Sequence, residues 1–122
     1  MPGLSAHDFG DTVRFGANDC REDEEDQSKV HFLPQLYRVC ERGFLSQAGG
    51  VLTAREKEVL RWGAKLMTLE CGMRFLTDYL QGDVYFKMAR PDQNLDRART
   101  QFTLVQQMEA CWDELAPEES KL

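Results

Sequence analysis

The chain has 122 residues, a size that suits one domain able to bury about two thirds of its unfolded surface. Hydrophobic residues make up 42% and charged residues 30%, which places it among globular proteins. A net charge of −6 and a pI near 4.9 exclude a global positive field of the kind that holds nucleic acid or an anionic membrane surface. No apolar run approaches the roughly 20 residues of a membrane helix, and MPGLSAHDFGD lacks the basic and apolar regions of a signal peptide, so the expected location is the cytoplasm.

The four cysteines, Cys20, Cys40, Cys71 and Cys111, are widely spaced and form no CxxC pair, which argues against a zinc site and against a disulfide scaffold. Three of them fall within apolar helical patterns, where a reduced core thiol is the expected state.

In chain order, Ser5 is an N-cap candidate for a short helix over 5–16 bearing Phe9, Val13 and Phe15, with Gly16 and Asn18 as its stop. Asp8-Phe9-Gly10 matches the metal-binding triplet of protein kinases in three letters only. That triplet works after a catalytic loop with an Asp and an Asn, and none precedes it here, so Phe9 is read as a core anchor. Residues 19–29 place six carboxylates in eleven positions without apolar periodicity, the pattern of a solvated, self-repelling loop. They lack the alternating oxygen ligands and central Gly of a calcium loop.

Leu33, Leu36, Tyr37, Cys40 and Phe44 recur at helical steps and predict a second helix over 32–48, stopped by Gly49-Gly50, with Pro34 tolerable only in its first turn. Thr53-Ala54-Arg55-Glu56 has the form of a capping box and predicts that a long helix starts there and runs to 81. Along it Leu66, Met67, Leu69, Cys71, Met73, Phe75, Leu76, Tyr79 and Leu80 put apolar side chains on more than one face, so the helix is expected to be mostly buried. Gly63 and Gly72 mark points of kinking or of close approach by another backbone. Gly82-Asp83 is its stop signal, and Val84–Met88 is the stretch most like a strand. The turn 89–94 leaves Asn94 as the cap of a last helix over 95–116, with Phe102, Val105, Met108, Trp112 and Leu115 as its apolar stripe and Asp96, Arg97 and Arg99 among its polar positions. Pro117 ends it, and 117–122 is expected to fray. The composite is a single all-α domain with four main helices.

Arg74 is the single cation set into the apolar surface of the long helix, and Tyr85 and Phe86 follow its stop, trailed by Lys87 and Arg90. A guanidinium fork and a phenol are suited to gripping a polar ligand. An isolated Arg on a helix ordinarily makes an ion pair, here with Asp78 at i+4. With two histidines and no Gly-rich phosphate loop, nothing in the chain has the pattern of a self-sufficient catalytic site.

The run KLMTLECGMRFLTDYLQGDVYFKMARPDQNLDRARTQFTLVQQME, together with MPGLSAHDFGDTVRFGA and EDEEDQSKV, resembles the C-terminal region of bacterial N-acetylhexosamine 1-kinases in the aminoglycoside phosphotransferase-like superfamily, some relatives of which are labelled mucin-desulfating sulfatase. The resemblance implies the helical part of a sugar kinase, with Arg74 and Tyr85 as sugar-contacting residues. In that family ATP and Mg²⁺ are held by upstream parts that carry the metal-binding and catalytic aspartates. The chain is therefore expected to be a C-terminal piece without catalytic, cofactor-binding or metal-binding residues of its own. Its expected partners are a hexosamine sugar, a separate N-terminal kinase portion, or a second copy in a homo-oligomer. A stand-alone helical interaction module and one half of a split kinase are the alternatives.

Overall fold

The structure is a computed structural model that describes residues 2–19, 21–48, 50 and 52–117, with the side chains of all of these except 2–7, 15 and 48. It is all-α: helices α1 (Pro2–Gly16), α2 (Pro34–Ala48), α3 (Ala54–Glu58), α4 (Leu60–Leu80) and α5 (Gln93–Ala110), with 3₁₀ turns at Gln27–Lys29 and Trp112–Leu115. No strand occurs among the described residues, and 84–88 runs as irregular chain. Asn18 and Phe32 form an isolated antiparallel bridge.

α4 is the spine, with α1 and α5 packed along it. Its buried positions, Leu60, Ala64, Thr68, Gly72 and Phe75, form an i,i+4 stripe made mostly of small residues. Small side chains let two helices approach closely enough to interlock. The expectation of a helix buried around most of its circumference is therefore corrected: Leu66, Met73 and Leu80 are exposed, because α1 and α5 select the small-residue face and leave the large apolar one open. The predicted backbone approach is present at Gly63, whereas Gly72 is approached by the side chains of Phe102 and Gln101. A Cβ on Gly10 of α1 would lie 2.4 Å from the carbonyl oxygen of Gly63, and one on Gly72 would lie 2.7 Å from Cε1 of Phe102.

The core gathers at the N-terminal end of α4 around Phe9, Val13, Tyr37, Leu60, Leu104, Met108 and Leu115. Phe9 is fully buried, with its ring 5.5 Å from that of Tyr37 in an edge-on arrangement, as its reading as an anchor requires. At the same end Trp62 and Trp112 meet edge to face with centroids 4.9 Å apart, and Arg61 donates to the Trp112 carbonyl at 2.7 Å.

Several boundaries move. α1 begins at Pro2, so Ser5 lies inside the helix rather than at its cap. The capping box is formed, with Thr53 Oγ1 accepting from Glu56 N and Glu56 accepting from Thr53 N, but it caps the short α3; a one-residue break at Val59 separates that turn from α4. α5 starts at Gln93 after Asp92, so Asn94 is not its cap, and it ends at Ala110. The Cys111 amide is shared between Gln107 O and Met108 O, which tightens the chain into the final 3₁₀ turn. That turn is tied to α2 by Arg38, which donates to the carbonyls of Glu114 and Ala116. Cys40, Cys71 and Cys111 are reduced thiols, each raised above the ordinary thiol range by burial. Cys20, Gly49, the side chain of Phe15 and the tail 118–122 lie outside the described residues.

The acidic loop is not the self-repelling segment its composition predicts. Glu22 faces Arg14 at 3.4 Å, Asp23 accepts from Gln93 Nε2 at 3.0 Å, and Arg90 reaches Glu25 at 3.3 Å and the Asp23 carbonyl at 2.7 Å. Arg14, eight residues before Glu22, and the sequence-distant Arg90 and Arg97 pair with Glu22, Asp23 and Glu25, and Gln107 clamps the chain after the loop by accepting from Phe32 N and donating to Val30 O. No helix among the described residues is long and apolar enough to cross a membrane.

Candidate functional site

The open face of α4 and the segment after it enclose a groove of about 800 Å³. Leu66, Leu69, Met73 and Phe86 give it an apolar floor, and Glu70, Arg74, Thr77, Gln81 and Tyr85 supply polar edges. A largely apolar concavity with a few polar groups is the usual form of a small-molecule site. Arg74 and Tyr85, the two residues singled out by sequence, thus line one and the same groove.

Their positions depend on how α4 ends. Gly82 (φ 96°) and Asp83 (φ 61°) are both left-handed, and the amides of Asp83 and Gly82 return to Asp78 O at 2.8 Å and Tyr79 O at 3.2 Å, which is a Schellman stop. The Asp78 side chain completes the turn. One oxygen accepts from Tyr85 N at 2.7 Å, and the other accepts from Phe86 N at 3.0 Å and from Asn94 Nδ2 at 2.7 Å. Asn94 also donates to Asp83 at 3.1 Å. Asp78 therefore fastens both the aromatic pair and the start of α5 to the end of α4. Burial is the largest single influence on its carboxyl and opposes ionisation, yet the amides of Phe86 and Tyr85 and the Asn94 carboxamide together hold it below the usual carboxylate range.

The ion pair expected of Arg74 is present, but not with Asp78, whose two carboxylate oxygens are committed elsewhere. Arg74 pairs instead with Glu70 one turn earlier, at 2.6 Å, with its side chain 67% exposed. An ion pair so exposed contributes little and is readily exchanged for a ligand. Tyr85 is 82% exposed on the rim. Its ring meets Phe86 edge-on at 4.9 Å, and Phe86 in turn packs on the buried Phe75 at 4.7 Å, so the rim aromatic is anchored to the interior through two rings. Tyr79 adds a tie across the connecting segment, its hydroxyl 3.2 Å from Asp92 Oδ1.

Arg90, the other cation of the aromatic-basic tail, turns away from the groove to Asp96 at 2.7 Å and the acidic loop. Sequence reasoning missed the anchoring role of Asp78. The available signal was a carboxylate in the last turn of a helix, where the macrodipole disfavours it unless local donors compensate. No group of three or more His, Cys, Asp or Glu among the described residues is arranged to hold a metal ion. No family model matches the chain.

Proposed function

We propose that the groove is the sugar-binding part of an N-acetylhexosamine kinase-like phosphotransferase, and that this chain supplies it without the groups that transfer phosphate. The observation that carries the reading is the convergence of Arg74 and Tyr85, each marked by the sequence resemblance, on one groove. An N-acetylhexosamine suits its chemistry: the Arg74 fork can donate to ring hydroxyls or the acetamide oxygen, the Tyr85 ring offers an apolar face, and Leu69 and Met73 can receive the acetamide methyl. In this reading ATP and Mg²⁺ belong to a separate N-terminal kinase portion, the chain's expected partner.

Saturation-transfer NMR with N-acetylglucosamine and N-acetylgalactosamine tests it. Binding that weakens about tenfold, equivalent to about 1.4 kcal/mol, in both Arg74→Ala and Tyr85→Ala is expected. Absence of transfer for both sugars, or transfer unaffected by both substitutions, overturns it.

A second reading, of a helical module that self-associates, is favoured by one observation. Leu66, Met73, Leu80 and Val84 leave an apolar face uncovered, the last two with 74% and 77% of their surface exposed. A second copy seated on that face would cover Arg74 and Tyr85, so the two readings compete for the same surface.

A further inference from the structure

Arg74 and Phe86 also border a second cleft, of about 350 Å³. In a chain of net charge −6, four cations line it: Arg14 from α1, Arg74 from α4, Lys87 from the connecting segment and Arg97 from α5. A single carboxylate, Glu22 of the acidic loop, is in its wall. Glu22 stands 3.4 Å from Arg14 Nη1 and 3.8 Å from Arg97 Nε, so it reaches the second guanidinium at ion-pair distance without hydrogen-bonding to it. The Arg97 Nε is buried and has no hydrogen-bond acceptor. It cannot swing to find one, because the same guanidinium donates from Nη1 to Asn94 Oδ1 at 3.1 Å and to the Lys87 carbonyl at 3.3 Å. Other charges nearby are Asp11, 3.6 Å from Arg14, and Glu70 on Arg74. The Lys87 ammonium makes no ion pair among the described residues.

We propose that this cleft is a binding site for a small phosphate-type oxyanion, and that Glu22 is an internal counterion which the oxyanion displaces. Guanidinium forks match the paired oxygens of such an anion, and a tetrahedral dianion in the place of Glu22 supplies the acceptor that the Arg97 Nε lacks while keeping a negative charge beside Arg14. Arg74 and Phe86 apart, the site stands on groups other than those that define the sugar groove, and it does not depend on what occupies that groove. Because Glu22 belongs to the loop that Arg90 and Gln93 pin to α5, its release loosens that loop at one of its tethers.

The test is a titration of the full chain with inorganic phosphate and, separately, methyl phosphate, followed by amide NMR at constant ionic strength set with chloride. Saturable shifts at residues 21–24 and around Arg97 are expected, together with binding about tenfold tighter in Glu22→Gln and lost in Lys87→Glu. Both substitutions are at exposed positions, and an unchanged amide spectrum elsewhere confirms that the fold is kept. Tighter binding of inorganic phosphate identifies the free ion as the occupant, and tighter binding of methyl phosphate identifies a phosphomonoester. Shifts that chloride reproduces, or an affinity that is the same in Glu22→Gln as in the unsubstituted chain, overturn the proposal.

Discussion

Asn94 donates its carboxamide to Asp78 across 2.7 Å, and through that bond the first turn of α5 is held against the last turn of α4, both side chains being buried. Asn94→Ala removes the donor and leaves buried carboxylate oxygen under-satisfied, so it is expected to destabilise the fold by about 2 kcal/mol. Chemical denaturation measures this, and a loss below about 0.5 kcal/mol, the range of an ordinary surface substitution, contradicts it.

Asp78 also gives stability a defined pH dependence. Its carboxyl lies below the ordinary 3.8 in the folded chain, whereas the unfolded chain binds its proton near that value. Between the two pKa values the unfolded state therefore binds more protons, and stability rises with pH. The contribution is complete above the unfolded value and is lost as pH falls through the folded one. Asp23, held down first by Gln93, acts in the same direction. Denaturation midpoints measured across the acidic range are expected to fall on acidification, and to fall less steeply in Asp78→Asn.

Two glycine substitutions inside helices should have opposite signs. Gly10→Ala places a methyl 2.4 Å from Gly63 O, a backbone atom that cannot move aside without separating α1 from α4. It is expected to destabilise by about 2 kcal/mol despite the better helix propensity of Ala. Gly43→Ala, in α2, meets nothing within 4 Å and is expected to stabilise by about 1 kcal/mol. Equal shifts of the two melting temperatures would refute the packing account.

Much of this architecture was legible as pattern. The helical periods placed the four main helices, the capping box appeared at Thr53, the Gly82-Asp83 stop became a Schellman turn, and the glycines marked where helices touch. α4 was read as buried on more than one face because hydrophobicity reports which side chains favour burial, whereas close helix packing is decided by which side chains are small enough. Thr68 and Gly72 won over Leu66 and Met73 on size. In α5, likewise, Asn94, Asp96, Thr100 and Gln101 are buried: Asn94 donates to Asp78 of α4, Asp96 pairs with Arg90 of the connecting segment, and Thr100 donates within the helix to Asp96 O. The acidic loop is largely exposed, as read, but its pairing with Arg90 and Arg97 was missed because these sit about 65 or more residues further along the chain. Arg74 and Tyr85 stood out by residue type and position, the resemblance gave them a sugar-contacting role, and the structure places both on one groove.

The chain alone is expected to transfer no phosphate from ATP to an N-acetylhexosamine, because transfer depends on positioned phosphates, Mg²⁺ and a carboxylate that orients the nucleophile. A coupled assay checks this. Turnover above background that disappears in Arg74→Ala would place a working site in this chain.

If the apolar face of α4 is covered by a second copy, light scattering during size exclusion will give a dimer mass that reverts to monomer in Leu66→Glu. Burying about 400 Å² per chain contributes on the order of 10 kcal/mol gross, before the entropy of association is subtracted. A monomer that persists at high micromolar concentration rules this association out.

The two tryptophans of the chain stand together, one from α4 and one from the closing 3₁₀ turn, at the N-terminal end of α4, one turn before Leu66 of the groove floor. Their rings are close enough to couple electronically, and Arg61 and Lys65 lie against the Trp112 face. The molecule thus carries a built-in optical gauge of whether its C-terminal turn is docked. Intrinsic fluorescence will report unfolding that begins at the tryptophan end.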